Sequence, residues 1–250
     1  MTALLHVDEV SKRFGALLVV EKFTFDVAEG EALGIVGPNG AGKTTLLNLI
    51  AGDLRPDTGS IRLAGHDITK LPAHARSHRG IGRTSQIPRP FEGLTVFENV
   101  LVGSTFGSKG RLSTSKEEAA VAALERAGML DKANVLAGSL TLLDRKRLEL
   151  ARALSTQPTL LLLDEIAGGL TEGEVLDLVE TIKQIRAGGV SIVWIEHIVH
   201  ALLRVVDRMV AVDAGRKLIE GDPHEVMSSN EVRAVYLGDD LADDAAPGAS

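Results

Sequence analysis

The feature that most constrains this chain is a complete P-loop pattern, G-x-x-x-x-G-K-[ST], which reads Gly37-Pro38-Asn39-Gly40-Ala41-Gly42-Lys43-Thr44-Thr45. An apolar run at residues 32–36 precedes the pattern, and a helix-like run at 45–51 follows it. Glycines allow the backbone to curl until successive N–H groups point at an anion, and the positive end of the helix dipole falls at the same place. The sequence therefore predicts a nucleoside triphosphate site.

Within this site each residue type has an expected task. The Lys43 ammonium should reach the β- and γ-phosphates, and the Thr44 hydroxyl should ligate Mg²⁺. The residues predicted to contact the nucleotide are Gly37, Asn39, Gly40, Ala41, Gly42, Lys43, Thr44 and Thr45.

An acidic pair, Asp164-Glu165, supplies the second half of the site. The leucines at 160–163 predict a buried strand, and the pair stands at its carboxyl end, where ligands bind in parallel sheets. We expect this strand to neighbour the P-loop strand and Asp164 to hold Mg²⁺ together with Thr44. Glu165 would then orient or deprotonate the attacking water. Taken alone the pair could simply end a strand, but the complete P-loop favours the catalytic interpretation.

Two polar residues end other predicted strands. His197 follows the apolar strand at 192–195, whose end should face the same sheet edge, so its imidazole could contact a γ-phosphate. Gln86 ends a strand predicted over 81–85, and a neutral amide there could touch Mg²⁺ and a water. Either residue by itself would be interpreted as structural. For His197, the shared sheet edge favours a role in the reaction.

The pattern of apolar residues predicts an α/β fold, a P-loop NTPase core with a mainly parallel sheet. An antiparallel β part precedes the P-loop at 4–10 and 19–27, and a helical subdomain is inserted at about 95–155. Aromatic residues make up only 3% of the chain, so the core must be aliphatic, which suits the buried strands of a parallel sheet. We expect a single domain over 1–237 and a disordered acidic tail over 238–250.

Composition and charge exclude several classes of function. The formal charge is −7 and no basic field is present, so nucleic acid is not an expected partner. The absence of cysteine excludes disulfides and thiolate metal sites. No apolar stretch reaches the roughly 18 residues that span a bilayer, and residues 1–10 do not resemble a secretion signal. The chain is expected to be soluble and to meet a membrane only through a partner.

Taken in order, these features resemble the ATP-binding subunit of an ABC transporter over about residues 3–237. The resemblance implies that Phe14 stacks on adenine, that Gln86 lies in the Q-loop, and that Glu165 is the catalytic carboxylate. It also implies that His197 is the switch histidine. ATP and Mg²⁺ are then the expected cofactors, and the implied metal ligands are Thr44, Gln86 and, often through water, Asp164.

A narrower similarity points to the ATPases of branched-chain amino acid uptake systems. Residues 81–86 and 91–100 are similar to their Q-loop region, and residues 235–238 match their C-termini. This implies a subunit that pairs with a second ABC ATPase, identical or paralogous, and couples hydrolysis to solute import. Membrane permease subunits would hold it on the cytoplasmic face of the cell membrane, with a solute-binding protein as an indirect partner.

Two positions depart from the family pattern. The signature leucine-serine-glycine-glycine-glutamine reads here Leu140-Thr141-Leu142-Leu143-Asp144. The candidates for contacting a partner's γ-phosphate are therefore the Thr141 hydroxyl, the Leu143 backbone N–H and Asp144. In the D-loop, Thr171 stands where an acid or amide is usual. Either departure would fit slower hydrolysis or a companion ATPase with a regular signature.

Three other functions remain open on the sequence. One is a nucleotide-binding subunit with a degenerate signature and weak hydrolysis. A soluble ABC ATPase outside transport usually has two ATPase units or a basic surface, whereas this chain has one P-loop and an acidic balance. A small-molecule P-loop kinase would need a lid of arginines, for which the chain offers only the scattered Arg76, Arg79, Arg83 and Arg89.

Overall fold

The computed structural model describes residues 3–107 and 114–243, with side chains described as far as Tyr236. Two long strands, β1 (Ala3–Phe14) and β2 (Leu17–Ala28), form an antiparallel pair. A further strand, β4 (Thr58–Leu63), pairs with β1, and the short β5 (His66–Asp67) pairs with β4. Alternating burial along β1 and β2 turns one face of this first sheet into the core.

A second sheet, mainly parallel, carries the P-loop strand near its centre. Its strands are β3 (Ala32–Val36), β6 (Ile81–Arg83), β7 (Leu160–Asp164), β8 (Ser191–Ile195), β9 (Arg208–Asp213) and β10 (Arg216–Gly221). They lie in the order β10-β9-β3-β8-β7-β6, and only the β9–β10 pairing of the described residues is antiparallel. Every residue of β3, β7 and β8 is buried, as expected for strands covered on both faces. The carboxyl ends of these three strands therefore meet at one edge.

Helices pack on both faces of the parallel sheet. The P-loop helix α1 (Lys43–Ala51) lies in the core between the two sheets, together with Leu33 and Ile35. The other face of β3, with Ala32 and Val36, belongs to a core built from the remaining helices. These are α3 (Val96–Gly107), α4 (Lys116–Arg126), α5 (Leu142–Leu154), α6 (Glu172–Ala187), α7 (Val199–Leu202), α8 (Pro223–Ser228) and α9 (Asn230–Asp243), whereas the short α2 (Ala73–Ser77) contacts α1 and β6. Among the helices described, none combines the length and the apolar character needed to cross a bilayer.

The architecture confirms the predicted α/β fold. The antiparallel β part precedes the P-loop, the main sheet is parallel, and α3, α4 and α5 occupy the stretch predicted as a helical insertion. One expectation was wrong: β8 lies between β3 and β7, so the strand of Asp164 is not the direct neighbour of the P-loop strand. The order of strands depends on the crossovers between them, which the apolar pattern of each strand does not specify.

The C-terminal boundary also differs from the prediction. The disordered tail was expected to begin at residue 238, but α9 continues through Asp243. Leu237 and Leu241 stand four positions apart, a helical spacing that extends the pattern of the preceding turns. Residues 244–250 lie outside the described residues.

Arg76 fixes the end of the P-loop helix to the segment before α2. Its side chain is fully buried, and its guanidinium donates to the carbonyls of Leu49 at 2.6 Å and Ile50 at 2.9 Å in the last turn of α1. It also donates to the carbonyls of Thr69 and Leu71, each at 2.9 Å. Burial lowers the pKa of Arg76 to about 10. Since α1 has no basic residue in its own last turn, Arg76 supplies the cation that its terminal carbonyls favour, and it is unavailable for a kinase-like lid.

Replacing Arg76 by methionine is expected to lower the free energy of unfolding by about 3–5 kcal/mol, because four carbonyls, two of them buried and two partly buried, lose a charged donor. Urea unfolding followed by circular dichroism measures the difference. The matched control is Arg79→Met at an exposed arginine of the next turn, which should change stability by no more than about 0.5 kcal/mol. Equal losses in the two variants would contradict the structural role of Arg76.

Candidate nucleotide-binding and catalytic site

The P-loop passes so close to neighbouring backbone that two of its glycines are required. Gly42 precedes α1 with φ of +95°, and a Cβ there would lie 2.5 Å from the carbonyl oxygen of Val19. A Cβ on Gly37 would lie 2.1 Å from the carbonyl oxygen of Val212. The loop borders a cavity of about 310 Å³ that residues 39–45 share with Val19 and Glu165. The structure thus brings the predicted nucleotide loop and the predicted catalytic carboxylate to one cavity.

Lys43 lies inside the curl of this loop. Its side chain is buried, and the ammonium donates to the carbonyls of Gly37 at 2.7 Å and Pro38 at 2.8 Å. No acidic residue occupies the first turn of α1, so the positive end of the helix dipole is not neutralised there. The ammonium and the helix terminus together make the loop a site for an anion.

Asp164 ends β7 at the floor of a second cavity, of about 340 Å³, which it shares with Thr44 and Gln86. Only 1% of Asp164 is exposed. Burial raises the pKa of this carboxyl group, and the guanidinium of Arg83, 3.2 Å away, opposes the rise. Thr44 borders both cavities, so the P-loop cavity and the cavity of Asp164 meet at its side chain.

The residues around Thr44 fit Mg²⁺. The buried Oδ1 of Asp164 has no hydrogen-bond partner among the described residues, and a carboxylate and a hydroxyl oxygen are donors that this ion prefers. The described residues contain no group of three His, Asp or Glu side chains that could enclose a metal ion by themselves. This agrees with Mg²⁺ sites in which one carboxylate shares the ion with substrate phosphates.

The three residues predicted to be catalytic lie together. Oε2 of Glu165 accepts a hydrogen bond from Nε2 of Gln86 at 2.5 Å, and Oε1 lies 2.8 Å from Nε2 of His197. The backbone of Glu165 is in the left-handed region, with φ of +46°, and its N–H donates to the carbonyl of Ile195 at the end of β8. The carboxylate is thus held from both sides at the mouth of the P-loop cavity, where a general base for water would stand.

Glu196 is a site residue that the sequence analysis missed. Only 1% of it is exposed, and burial raises its pKa. One carboxylate oxygen accepts from the backbone N–H of Ala167 at 2.9 Å and the other from that of His197 at 3.1 Å. Glu196 therefore joins the loop after Glu165 to the loop that carries His197. Its only sequence signal was an acid directly before that histidine.

The polar side chains of the altered signature bind other groups of the same chain. Thr141 caps the N-terminus of α5, accepting from the backbone N–H of Asp144 at 3.3 Å. Asp144 is buried, and both of its carboxylate oxygens lie 2.6 Å from the ammonium of Lys132. Leu143 is buried as well, whereas Leu142 is 42% exposed. What this region presents outward is the start of α5 and the Leu142 side chain, rather than the side chains of Leu143 and Asp144.

Two residues named on family resemblance lie apart from the cavities. Phe14 ends β1 with 48% of its surface exposed, and the ammonium of Lys12 lies 5.8 Å from its ring centroid. Val19, in the next strand, lines the P-loop cavity, whereas Phe14 does not. The stacking of Phe14 on adenine therefore stays a prediction. Thr171 caps α6 in a reciprocal pair of hydrogen bonds with Glu174. The threonine at this D-loop position therefore stabilises the start of the helix.

Arg83 and Tyr236 also contact the site, and the sequence analysis assigned a site role to neither. Arg83 forms ion pairs with Asp53 and Asp164. The Tyr236 hydroxyl accepts a hydrogen bond from the N–H of Gly37 at 3.1 Å, so α9 contacts the first residue of the P-loop. Both contacts join residues that are far apart in sequence, and no local sequence pattern predicts them.

A scan against models of protein families matches residues 20–168 to the ABC transporter family. Among curated relatives, the high-affinity branched-chain amino acid transport ATP-binding protein LivG of Salmonella typhimurium is 37% identical over 250 positions, covering 94% of this chain and 98% of the relative. The lipopolysaccharide export system ATP-binding protein LptB of Acidithiobacillus ferridurans is 35% identical over 241 positions, covering 96% and 98%.

A solved structure gives the same result for the fold. An ATP-binding cassette of an ABC transporter in its ADP conformation superposes with a TM-score of 0.87 at 29% identity, covering 95% of this chain and all of that chain. The similarity therefore extends over both sheets and the helices between them.

Proposed function

The chain belongs to the ABC transporter family of ATPases, and from that premise we propose that it binds ATP with Mg²⁺ and couples its hydrolysis to the import of branched-chain or related amino acids. One observation carries the catalytic part of this proposal. The P-loop, the buried Asp164, and the cluster of Glu165 with Gln86 and His197 converge at one edge of the parallel sheet.

Binding would use the P-loop with little rearrangement. Lys43 would exchange the carbonyls of Gly37 and Pro38 for phosphate oxygens, and the N–H groups at the start of α1 would donate to the same anion. Thr44 and Asp164 would hold Mg²⁺, which neutralises charge on the transferring phosphoryl oxygens. An aromatic contact of Phe14 with adenine belongs to this proposal.

Hydrolysis would depend on the carboxylate of Glu165. It would accept the proton of the attacking water, while Gln86 and His197 keep it at the mouth of the cavity. His197 would also donate to the γ-phosphoryl oxygens, and the Lys43 ammonium would stabilise the charge that spreads over them. Glu196, which holds the loops of Glu165 and His197 together, would preserve this arrangement.

A second ABC ATPase subunit, identical or paralogous, would complete each site. The N-terminus of α5 would supply the contact across the interface, with the backbone N–H of Leu143 and the positive end of the helix dipole facing the partner's γ-phosphate. The Thr141 hydroxyl, which caps α5, and the buried Asp144 would stabilise this turn rather than contact the phosphate directly. The exposed Leu142 would replace the close backbone approach of a glycine with an apolar contact.

The transport part of the proposal is supported by the names of relatives and by residues 81–100. LivG is named for branched-chain amino acid transport, whereas LptB, at similar identity, is named for lipopolysaccharide export. We favour import because the Q-loop region and the C-terminal ending are similar to those of the amino acid systems. Permease subunits would contact the surface around residues 86–100 and hold the chain on the cytoplasmic face of the membrane.

The test of transport is to identify and reconstitute the membrane partners. The tagged chain is purified from membranes, the co-purifying permease subunits and solute-binding protein are identified, and the complex is placed in liposomes. ATP-dependent uptake of radiolabelled leucine or isoleucine, absent in the same complex carrying Lys43→Ala, is the expected result. A complex that binds lipopolysaccharide and transports no amino acid would replace import by export.

The altered signature favours one alternative, a subunit that binds ATP and hydrolyses it weakly. Release of phosphate from ATP, measured for the chain alone and with its co-purified partner ATPase, separates the two functions. Turnover by the chain alone supports a complete site in a homodimer. Turnover only with a paralogous partner, and persisting when Glu165 of this chain is replaced by glutamine, supports the degenerate site.

A further inference from the structure

The guanidinium of Arg83 lies between two carboxylates at the edge where the metal would bind. Arg83 ends β6 and pairs in register with Leu162 of β7, so its side chain reaches Asp164 two residues further along that strand. Nη2 lies 3.2 Å from Oδ2 of Asp164, and Nη1 forms an ion pair with Asp53. One arginine thus connects the strand before Gln86 with the proposed metal ligand.

The two acids that Arg83 contacts differ in their access to water. The Asp164 side chain is 2% exposed, whereas that of Asp53, just beyond α1, is 49% exposed. Water can therefore hydrate Asp53 when it loses its partner, but a buried carboxylate without a countercharge is costly. In the structure described, the cation that compensates Asp164 is Arg83.

We propose that Arg83 is a positioning residue that takes the place of the divalent cation at Asp164 and moves fully to Asp53 when the metal and nucleotide bind. The inference rests on the proposed function, because it concerns the metal of the same nucleotide site. Asp53 and Arg83 would then affect the affinity for the metal, although neither residue is a ligand.

The physical basis is competition for one carboxylate. A guanidinium and a divalent cation that approach the same oxygen atoms repel each other, so Mg²⁺ must displace Nη2 to bind fully. The forked guanidinium allows this displacement at low cost, since Nη1 can remain on Asp53 while Nη2 leaves Asp164. Thr44 and the free Oδ1 of Asp164 lie in the same cavity, ready for the metal.

The two partners of this exchange should respond in opposite directions. Removing the competing charge with Arg83→Gln should raise the affinity for the metal about tenfold, a change typical for one neighbouring charge. Removing the resting place with Asp53→Asn should keep Arg83 on Asp164 and lower the affinity by about threefold or more. A purely structural role of Arg83 would weaken metal binding in both variants.

The experiment titrates Mn²⁺ into each protein with a non-hydrolysable ATP analogue and follows free Mn²⁺ by electron paramagnetic resonance at pH 8, where carboxylates are ionised. Arg89→Gln is the matched control, because Arg89 borders the same cavity without an ion pair to Asp164 among the described contacts. It should change the affinity by less than about twofold. Thermal melts verify that the variants are folded.

The outcomes separate a failure of the Arg83 exchange from a failure of the proposed nucleotide site. Tighter binding in Arg83→Gln and weaker binding in Asp53→Asn support the exchange. Equal affinities in all proteins, or the same gain in Arg89→Gln, overturn it while leaving the nucleotide site intact. A wild-type protein that binds no Mn²⁺ in the presence of the analogue removes the proposed function and, with it, this inference.

Discussion

Replacing Glu165 by glutamine is expected to slow ATP hydrolysis by about 10²- to 10³-fold while leaving ATP binding intact. The amide has the size of the carboxylate and can still accept from Gln86, but it cannot take a proton from water. With hydrolysis blocked, ATP should persist in the site and hold two subunits together. Phosphate release measures the first effect, and light scattering with and without ATP measures the second.

Glu172→Gln provides the control for this prediction, since Glu172 is an exposed acid in the first turn of α6 and loses the same charge. Its hydrolysis rate should equal that of the wild type. Full activity in the Glu165→Gln protein would show that another group activates the water, and the role assigned to Glu165 would be wrong.

Replacing Lys43 by alanine is expected to weaken ATP binding by about 10- to 100-fold, the value of a charged hydrogen bond to phosphate. Lys43 is buried within the loop, donates to the carbonyls of Gly37 and Pro38, and lines the P-loop cavity, so its charge lies where the phosphates would bind. Equilibrium binding of a fluorescent ATP analogue measures the change.

The control for this variant is Lys183→Ala on α6, a partly exposed lysine paired with Glu180 outside the two cavities. It loses the same charge and should bind the analogue as the wild type does. If both variants bind ATP like the wild type, the P-loop does not provide the phosphate site.

Most of the candidate site could be predicted because its signals are local. The P-loop has fixed residues at fixed spacing. Asp164 ends β7 and Glu165 follows it, and His197 comes two residues after β8, at ends of buried strands that meet at one edge. Gln86 was expected directly after a strand over 81–85, but β6 ends at Arg83, and Gln86 reaches Glu165 from the loop that follows. In each case, a short stretch of sequence determines both the element and the place of the polar residue on it.

What could not be predicted depends on contacts between distant residues. Arg83 and Asp164 are separated by 81 positions, and their pairing requires β6 and β7 to be neighbours in register. The insertion of β8 between β3 and β7 is likewise a property of the whole sheet. Arg76 resembles a surface residue in sequence, because its partners are backbone carbonyls that carry no side-chain signal.

The altered signature shows a third kind of difficulty. Sequence comparison with the family pattern draws attention to Thr141 and Asp144 as possible phosphate contacts. In the structure Asp144 pairs with Lys132, twelve positions earlier, and Thr141 caps the helix. A residue can therefore stand at a family's functional position while its side chain serves the local fold.

The most direct test of the central claim is calorimetric titration of ATP with Mg²⁺ into the Glu165→Gln protein, in which hydrolysis does not obscure binding. We expect a saturable heat with one nucleotide per chain, which is lost when Lys43→Ala is added to the same protein. A folded Glu165→Gln protein that gives no heat of binding would contradict the claim that the P-loop and the Asp164–Glu165 strand end form a single Mg²⁺–ATP site.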